Sequence, residues 1–313
     1  MDLGGTKCLA VVLEDGRVVD ERRVPTPVGE DALLDTLAAV AVDVQAGGPA
    51  EGVGVGVPGL VDRQGVLRFA PNLPGVADLA IGAELAARLG LPVRVDNDAT
   101  CAAWGERQAG AARGYDDVLV VALGTGIGGG IIVDGVLLRG ANGFAGEVGH
   151  MIVDPAGPPC PCGKRGCWER FASGSGLGRL GRIAAEAGHA ARMVALAGGD
   201  PTRIRGEHVT VAAAEGDAEA IAVLADFGWW VALGLANLAN VFDPQAFVLG
   251  GGLVEAGELL LAPVRTAFAD LVTGAAHRPS IAIVPATLGD HAGAVGAASL
   301  FDLPREIGAP RPL

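Results

Sequence analysis

Aromatic side chains are scarce in this sequence: one tyrosine, four tryptophans and eight phenylalanines make up 4% of its 313 residues. The core must be built instead from Val, Leu, Ile and Ala, within a hydrophobic content of 50%. Positive charge is also short, with 23 Lys and Arg against 36 Asp and Glu and a net charge of −13. That balance argues against nucleic acid or an anionic membrane as partner, because both require clustered Lys and Arg. The chain opens Met1-Asp2-Leu3, without the basic start and apolar run of a signal peptide. The most apolar later stretch, Phe227 to Ala236, is too short to span a bilayer and reads as a buried helix. Five cysteines, three of them at 160, 162 and 167, do not form a disulfide framework. What remains is the expectation of an acidic cytoplasmic protein of about two domains.

Glycine, by contrast, is abundant. Fifty glycines stand where a typical share of ~7% would give about 22. They cluster without a collagen repeat, so they point to tight loops. Between them the chain alternates strands and helices. Leu9–Leu13 and Val18–Val19 flank an Asp15-Gly16 hairpin turn. Leu33, Leu34, Leu37, Val40, Ala41 and Val44 recur at helical spacing. Strands are expected at Val53–Val57, Pro92–Val95, Val118–Leu123, Ala246–Leu249 and Ser280–Val284. Helices are expected near 98–108, 217–241, 255–272 and 292–300. The fold class is α/β.

An internal repeat says more than any single element. Leu3-Gly4-Gly5-Thr6-Lys7 followed by Cys8–Leu13 and Asp15-Gly16 matches Leu123-Gly124-Thr125-Gly126 followed by Ile127–Val133 and Asp134-Gly135. Each copy is an apolar residue, a glycine-threonine turn, an apolar strand and an Asp-Gly turn. Glycine lets backbone N–H groups close around an anion. One such turn alone is most simply an ordinary hairpin; a matched pair reads as two related domains, each presenting a phosphate loop.

His150, Cys160, Cys162 and Cys167 have the spacing H-x9-C-x-C-x4-C. Three thiolates and one imidazole make a closed tetrahedral set of the kind zinc takes in structural sites, with no open position for a catalytic water. Cys8 and Cys101 stand alone and read as small core residues. Asn97 and Asp98 follow a strand and open a helix, where an Asp commonly serves only as an N-cap. Asn72 lies in a proline-flanked loop, Glu147 is three residues before His150, and Glu169 is two after Cys167. Carboxylates and amides pair well with sugar hydroxyls. Beside a phosphate cradle they spell phosphoryl transfer to an alcohol.

These residues together resemble the ROK family of sugar kinases, and within it the bacterial ATP-dependent glucokinases of actinobacterial type. The motifs are DLGGTK at Asp2–Lys7, NDA at Asn97–Ala99, LGTGIGGG at Leu123–Gly130, GEVGH at Gly146–His150, CPCGKRGCWE at Cys160–Glu169 and LGGG at Leu249–Gly252. The resemblance implies an actin-like (ribonuclease H-like) ATPase fold with two α/β domains around a cleft. A small domain is expected over 1–114, completed by a C-terminal helix over 290–313, and a large one with the zinc loop over 115–289. It implies Asp98 as the base for the sugar 6-hydroxyl, with Asn72, Asn97, Glu147, His150 and Glu169 on the sugar and His150 also on zinc. Gly4, Gly5, Thr6, Lys7, Gly124, Thr125 and Gly126 would line the phosphates, and Gly250, Gly251 and Gly252 would lie nearer the nucleoside. Asp2 would approach Mg²⁺ through water.

The same family includes repressors with a winged helix before the first glycine loop. Only Met1 precedes Asp2, and the chain is acidic, so a kinase is expected rather than a regulator. Mannose, N-acetylglucosamine or fructose remain open as acceptors, polyphosphate as donor, and a homodimer or homotetramer as assembly. The strand before the first glycine turn is short beside Val118–Leu123, which carries the expectation that the natural chain begins upstream of Met1.

Overall fold

In the computed structural model the described residues are 1–44, 48 and 50–304. The expected C-terminal helix over 290–313 therefore lies partly outside them. Two compact units emerge from the contacts, one made of Met1–Val120, Gly129–Gly146 and Ala286–Leu313, the other of Val121–Gly128 and Glu147–Pro285.

The first unit is built on a sheet ordered β3-β2-β1-β4-β7: β1 is Asp2–Leu3, β2 Lys7–Glu14, β3 Arg17–Pro25, β4 Val53–Val57 and β7 Val93–Asn97. β1, β2 and β3 pair antiparallel, while β4 runs parallel to both β1 and β7. Asp15 and Gly16 take positive φ at the β2–β3 turn, as the Asp-Gly signal requires. A short hairpin, β5 (Leu60–Val61) and β6 (Leu67–Phe69), is inserted after β4. Helices α1 (Glu30–Asp43) and α2 (Ile81–Leu89) supply Leu33, Leu37, Ile81 and Leu85 to a core shared with Val55 and Val57. Helix α3 (Asp98–Ala109) packs against the last helix, α10 (Ala292–Ala298). The two backbones nearly touch: a Cβ on Gly296 would lie 1.6 Å from the Cys101 carbonyl oxygen. This explains the small-residue run Ala292–Ala298, and Cys8 and Cys101 are fully buried core residues.

A second sheet runs β10-β9-β8-β11-β12: β8 is Val118–Leu123, β9 Ile127–Val133, β10 Val136–Leu137, β11 Ala246–Gly250 and β12 Ala282–Pro285. With β5 and β6 set aside, both sheets follow the order third, second, first, fourth, fifth along the chain. The duplication read from two glycine turns thus extends to the topology of both sheets.

In the second unit, helices α4 (Glu169–Ala172), α5 (Gly174–Glu186), α6 (Ala191–Leu196), α7 (Gly206–Ala214), α8 (Ala218–Phe242) and α9 (Glu258–Leu271) complete the fold. α8 spans 25 residues, close to the expected 217–241, and by length and composition it is sufficient to cross a membrane. More than half of its most apolar window is buried inside the protein, and Phe227, Val231 and Leu235 are core residues. The helix expected over 255–272 is broken: Gly257 has φ 59° and separates a short 3₁₀ turn, Gly252–Ala256, from α9. The strand expected from Pro92 starts instead at Val93 and continues to Asn97.

Candidate functional site

The strand–helix junction at 97–98 is where the sequence left most open. Asn97, rather than Asp98, is the N-cap of α3, its side chain accepting the Thr100 N–H at 3.0 Å. Asn97 Nδ2 also donates to the Gly59 carbonyl at 3.1 Å and to Asp98 Oδ1 at 3.0 Å. Asp98 is the first helical residue, and the Ala99 N–H donates to its Oδ1 at 2.8 Å. Capping is therefore done by the neighbour. Burial raises the Asp98 carboxyl above the ordinary range, against the hydrogen bonds from Ala99 and Asn97. Asp2 is raised to about 6, by burial first and then by the negative charge of Asp98, with Lys7 opposing. Two carboxylates with perturbed protonation in one place are a functional-site signature.

The first glycine turn lies in the same unit. The Gly4 N–H donates to the Lys7 carbonyl at 2.8 Å, and Thr26 Oγ1 donates to the Gly4 carbonyl at 2.7 Å. Gly5, Thr6 and Lys7 are exposed, so the turn presents its backbone outward. Asn72 sits beside it, 3.5 Å from where a Cβ of Gly5 would be. Lys7 Nζ pairs with Asp290 at 2.7 Å, just before α10. Thr26 and Asp290 were not picked out from the sequence; the Gly-Asp step ahead of the small-residue helix was the available signal for Asp290.

The remaining residues gather in the second unit. At its glycine turn the Gly124 N–H donates to the Gly126 carbonyl at 3.0 Å. The start of α5 braces that turn: the Gly174 N–H donates to the Gly124 carbonyl at 2.8 Å and Ser175 Oγ to the Thr125 carbonyl at 2.9 Å. The Gly250–Gly252 turn follows β11, and a Cβ on Gly251 would meet the Leu123 carbonyl oxygen at 2.5 Å. These two turns therefore lie backbone to backbone, an approach only glycine allows at φ 84°.

The cysteine loop is a tight knuckle, in which the Cys160 N–H donates to the Lys164 carbonyl at 2.8 Å and the Gly163 N–H to the Cys160 carbonyl at 3.0 Å. It brings the donor atoms of His150, Cys160, Cys162 and Cys167 within 4.8 Å of one another. Cys162 Sγ is 3.6 Å from Cys167 Sγ, and Cys160 Sγ is 3.8 Å from His150 Nδ1. Tetrahedral zinc with ordinary bond lengths sets ligand atoms about 3.5–3.8 Å apart. The donor set fits that ion. His150 turns its other nitrogen, Nε2, to Glu147 at 3.7 Å. Glu169 links the knuckle to the glycine turn: Cys160 Sγ donates to its Oε1 at 3.0 Å, and its Oε2 lies 2.8 Å from where a Cβ of Gly126 would be. Between Cys167 and Glu169, Trp168 is fully buried and donates from Nε1 to the Trp230 carbonyl at 2.8 Å, and Phe171 stacks on Trp230. The segment that carries Glu169 is thus anchored on α8.

The predicted residues fall into two groups: Asp2, Gly4–Lys7, Asn72, Asn97 and Asp98 in one unit, Gly124–Gly126, Glu147, His150, the three cysteines, Glu169 and Gly250–Gly252 in the other. The ROK family model matches residues 1–303. The glucokinase of Streptomyces coelicolor is 42% identical over 311 residues, 98% of each chain. That of Thermotoga maritima is 36% identical over 309 residues, 96% of each chain. A ROK family glucokinase from Streptomyces griseus, solved in complex with glucose and AMPPNP, matches with a TM-score of 0.84 and 42% identity, over 96% of this chain and 97% of that one. Matched from end to end in sequence and in structure, the chain belongs to the ROK family and has its actin-like α/β fold.

Proposed function

We propose that the protein is an ATP-dependent glucokinase, transferring the γ-phosphate of ATP to the 6-hydroxyl of glucose. The observation that carries this reading is Asp98. It is a half-buried carboxyl whose desolvation raises its proton affinity, spared from capping by Asn97 and steadied by its amide. Such a group is matched to accept a hydroxyl proton as the oxygen attacks phosphorus. The glucose-bound relative from Streptomyces griseus supports the choice of sugar.

In this mechanism Asp98 takes the proton, and Asn72, Asn97, Glu147, His150 and Glu169 hold the other hydroxyls. Gly5 and Thr6 with Thr125 and Gly126 offer N–H groups and Lys7 its charge to the phosphates, while Gly4 and Gly124, whose N–H groups close their own turns, shape the two loops. Gly250, Gly251 and Gly252 border the nucleoside. Asp2 would hold Mg²⁺ through water, and the ion would supply charge neutralisation to the transferring phosphate. His150, Cys160, Cys162 and Cys167 would hold a structural zinc that fastens the loop bearing Glu169. The protein acts mainly by positioning.

Turnover of ATP against a panel of sugars, with polyphosphate as a second donor, tests the reading. Glucose with ATP is expected to be the best pair. Glucose should exceed N-acetylglucosamine in kcat/KM by roughly 10-fold or more, since a site built around a hydroxyl lacks room for an acetamido group. Equal values for the two would remove the glucose assignment and leave a broader sugar kinase. A second test uses Gly126→Ala. The new methyl would meet the movable end of Glu169, 2.8 Å away, so the carboxylate shifts while the fold survives. The glucose KM should rise roughly 10-fold with little change in Tm, as expected for a misplaced contact group. An unchanged KM would detach Glu169 from the sugar.

A further inference from the structure

Behind the Asn97–Asp98 junction lies a charged pair that the mechanism above does not use. Asp96, on β7, is 1% exposed, and Arg139, just after β10, is 8% exposed. Arg139 Nε lies 2.7 Å from Asp96 Oδ2. Burying two charges is expensive, and an apolar pair of similar volume commonly serves stability as well or better. A buried ion pair therefore calls for another explanation, and its neighbours supply one.

Asp96 Oδ1 accepts the Asn97 N–H at 2.8 Å, fixing the peptide that leads into the junction. Asn97 in turn holds Gly59, Asp98 and Thr100 through its side chain. On the other side, the Arg139 carbonyl accepts the Ala145 N–H at 3.2 Å, and the adjacent Gly140 carbonyl accepts Arg63 Nε at 2.7 Å. Arg139 thus sits at the root of the 139–145 loop, which leads through Gly146 to Glu147. One guanidinium joins the turn carrying the base to the loop that runs toward a sugar carboxylate. All these contacts lie within the first unit.

We propose that Arg139 is a positioning residue for phosphoryl transfer, its ion pair with Asp96 setting the geometry of the Asn97–Asp98 junction. The inference rests on Asp98 being the base. Arg139 touches neither substrate; it acts through Asp96 and Asn97. The guanidinium is a planar, delocalised charge whose shape and packing a lysine ammonium, a point charge on a flexible stem, does not reproduce.

Four variants test this by Tm, kcat and the separate KM values for glucose and ATP: Arg139→Met, Arg139→Lys, Asp96→Asn, and Asp96→Asn combined with Arg139→Met. Arg139→Met alone leaves a buried carboxylate without its partner, so it should lose both Tm and kcat. The double variant removes both charges, and its Tm should return most of the way. Its kcat should stay about 10–100-fold low, the scale of a slightly misplaced base, with the ATP KM within about 2-fold of wild type. Arg139→Lys keeps the charge, so it should keep Tm while its kcat falls between those of wild type and the double variant. Recovery of kcat together with Tm in the double variant would reduce the pair to a structural one. Should the charge-removing variants not fold, Arg139→Lys decides, and wild-type kcat in it would overturn the proposal. Absence of glucose-dependent ATP turnover in the wild-type protein would instead defeat the glucokinase reading itself.

Discussion

Asp98→Asn is expected to lower kcat by roughly 10²–10⁴-fold, the usual worth of a positioned general base, while glucose still binds. Asparagine keeps the size of the side chain and an oxygen for the Ala99 N–H, and the helix keeps its cap because Asn97 provides it. Only the proton acceptor is removed. The substitution should also leave Tm unchanged or raise it. Burial raises the Asp98 carboxyl, so the folded state binds its proton more tightly than the unfolded chain does. Stability from this group is present at low pH and falls as pH rises through the raised value. At neutral pH the ionised, partly desolvated carboxylate is a cost that asparagine relieves. Activity has the opposite sign: wild-type kcat/KM should climb with pH along an acid limb centred above the ordinary aspartate value of about 3.9. Near-normal turnover in Asp98→Asn, or an acid limb at the ordinary value, would leave Asp98 as a helix-start residue.

The other large effect belongs to the cysteine knuckle. Cys160→Ser or Cys167→Ser should release zinc and raise the glucose KM strongly, by about 10–100-fold in the range seen when the support of a metal-held site is lost. The route is physical: Cys167 precedes Trp168, whose burial against α8 fixes the start of α4, where Glu169 stands. Purified protein never exposed to chelator should contain about one zinc per chain, as expected for a closed four-ligand site. Active protein with less than about a tenth of an equivalent would reject the metal. A full equivalent retained by the serine variants would reject this ligand set.

How much of this was legible beforehand depends on where the information is stored. The strand Val118–Leu123 reads directly, because a strand covered on both faces is apolar at every position. The paired glycine turns were legible because a Gly-Thr turn between apolar residues has few other uses, and their repetition carried through to matching strand orders. The gathering of His150, Cys160, Cys162 and Cys167 was legible because three thiols and an imidazole at such short spacing have few reasons to converge apart from a metal. The identity of the cap was not. Asn97 and Asp98 are both good N-caps, and only the register of β7 against β4, with Val57 opposite Asn97, places the helix start one residue later. The break at Gly257 was hidden for a similar reason, since apolar spacing continues across a glycine whatever its φ. The Asp96–Arg139 pair was out of reach because it joins residues 43 positions apart on different elements. No periodicity records such a contact.

The most direct test of the central claim is to follow the atoms in the reaction. The protein is incubated with magnesium, ATP and glucose carrying a heavy-oxygen label in the 6-hydroxyl, and the product is read by phosphorus NMR. The account predicts glucose 6-phosphate in which the label bridges carbon and phosphorus, formed in step with ADP and nearly absent with Asp98→Asn. ATP consumption independent of glucose, or phosphate on a different hydroxyl, would contradict it.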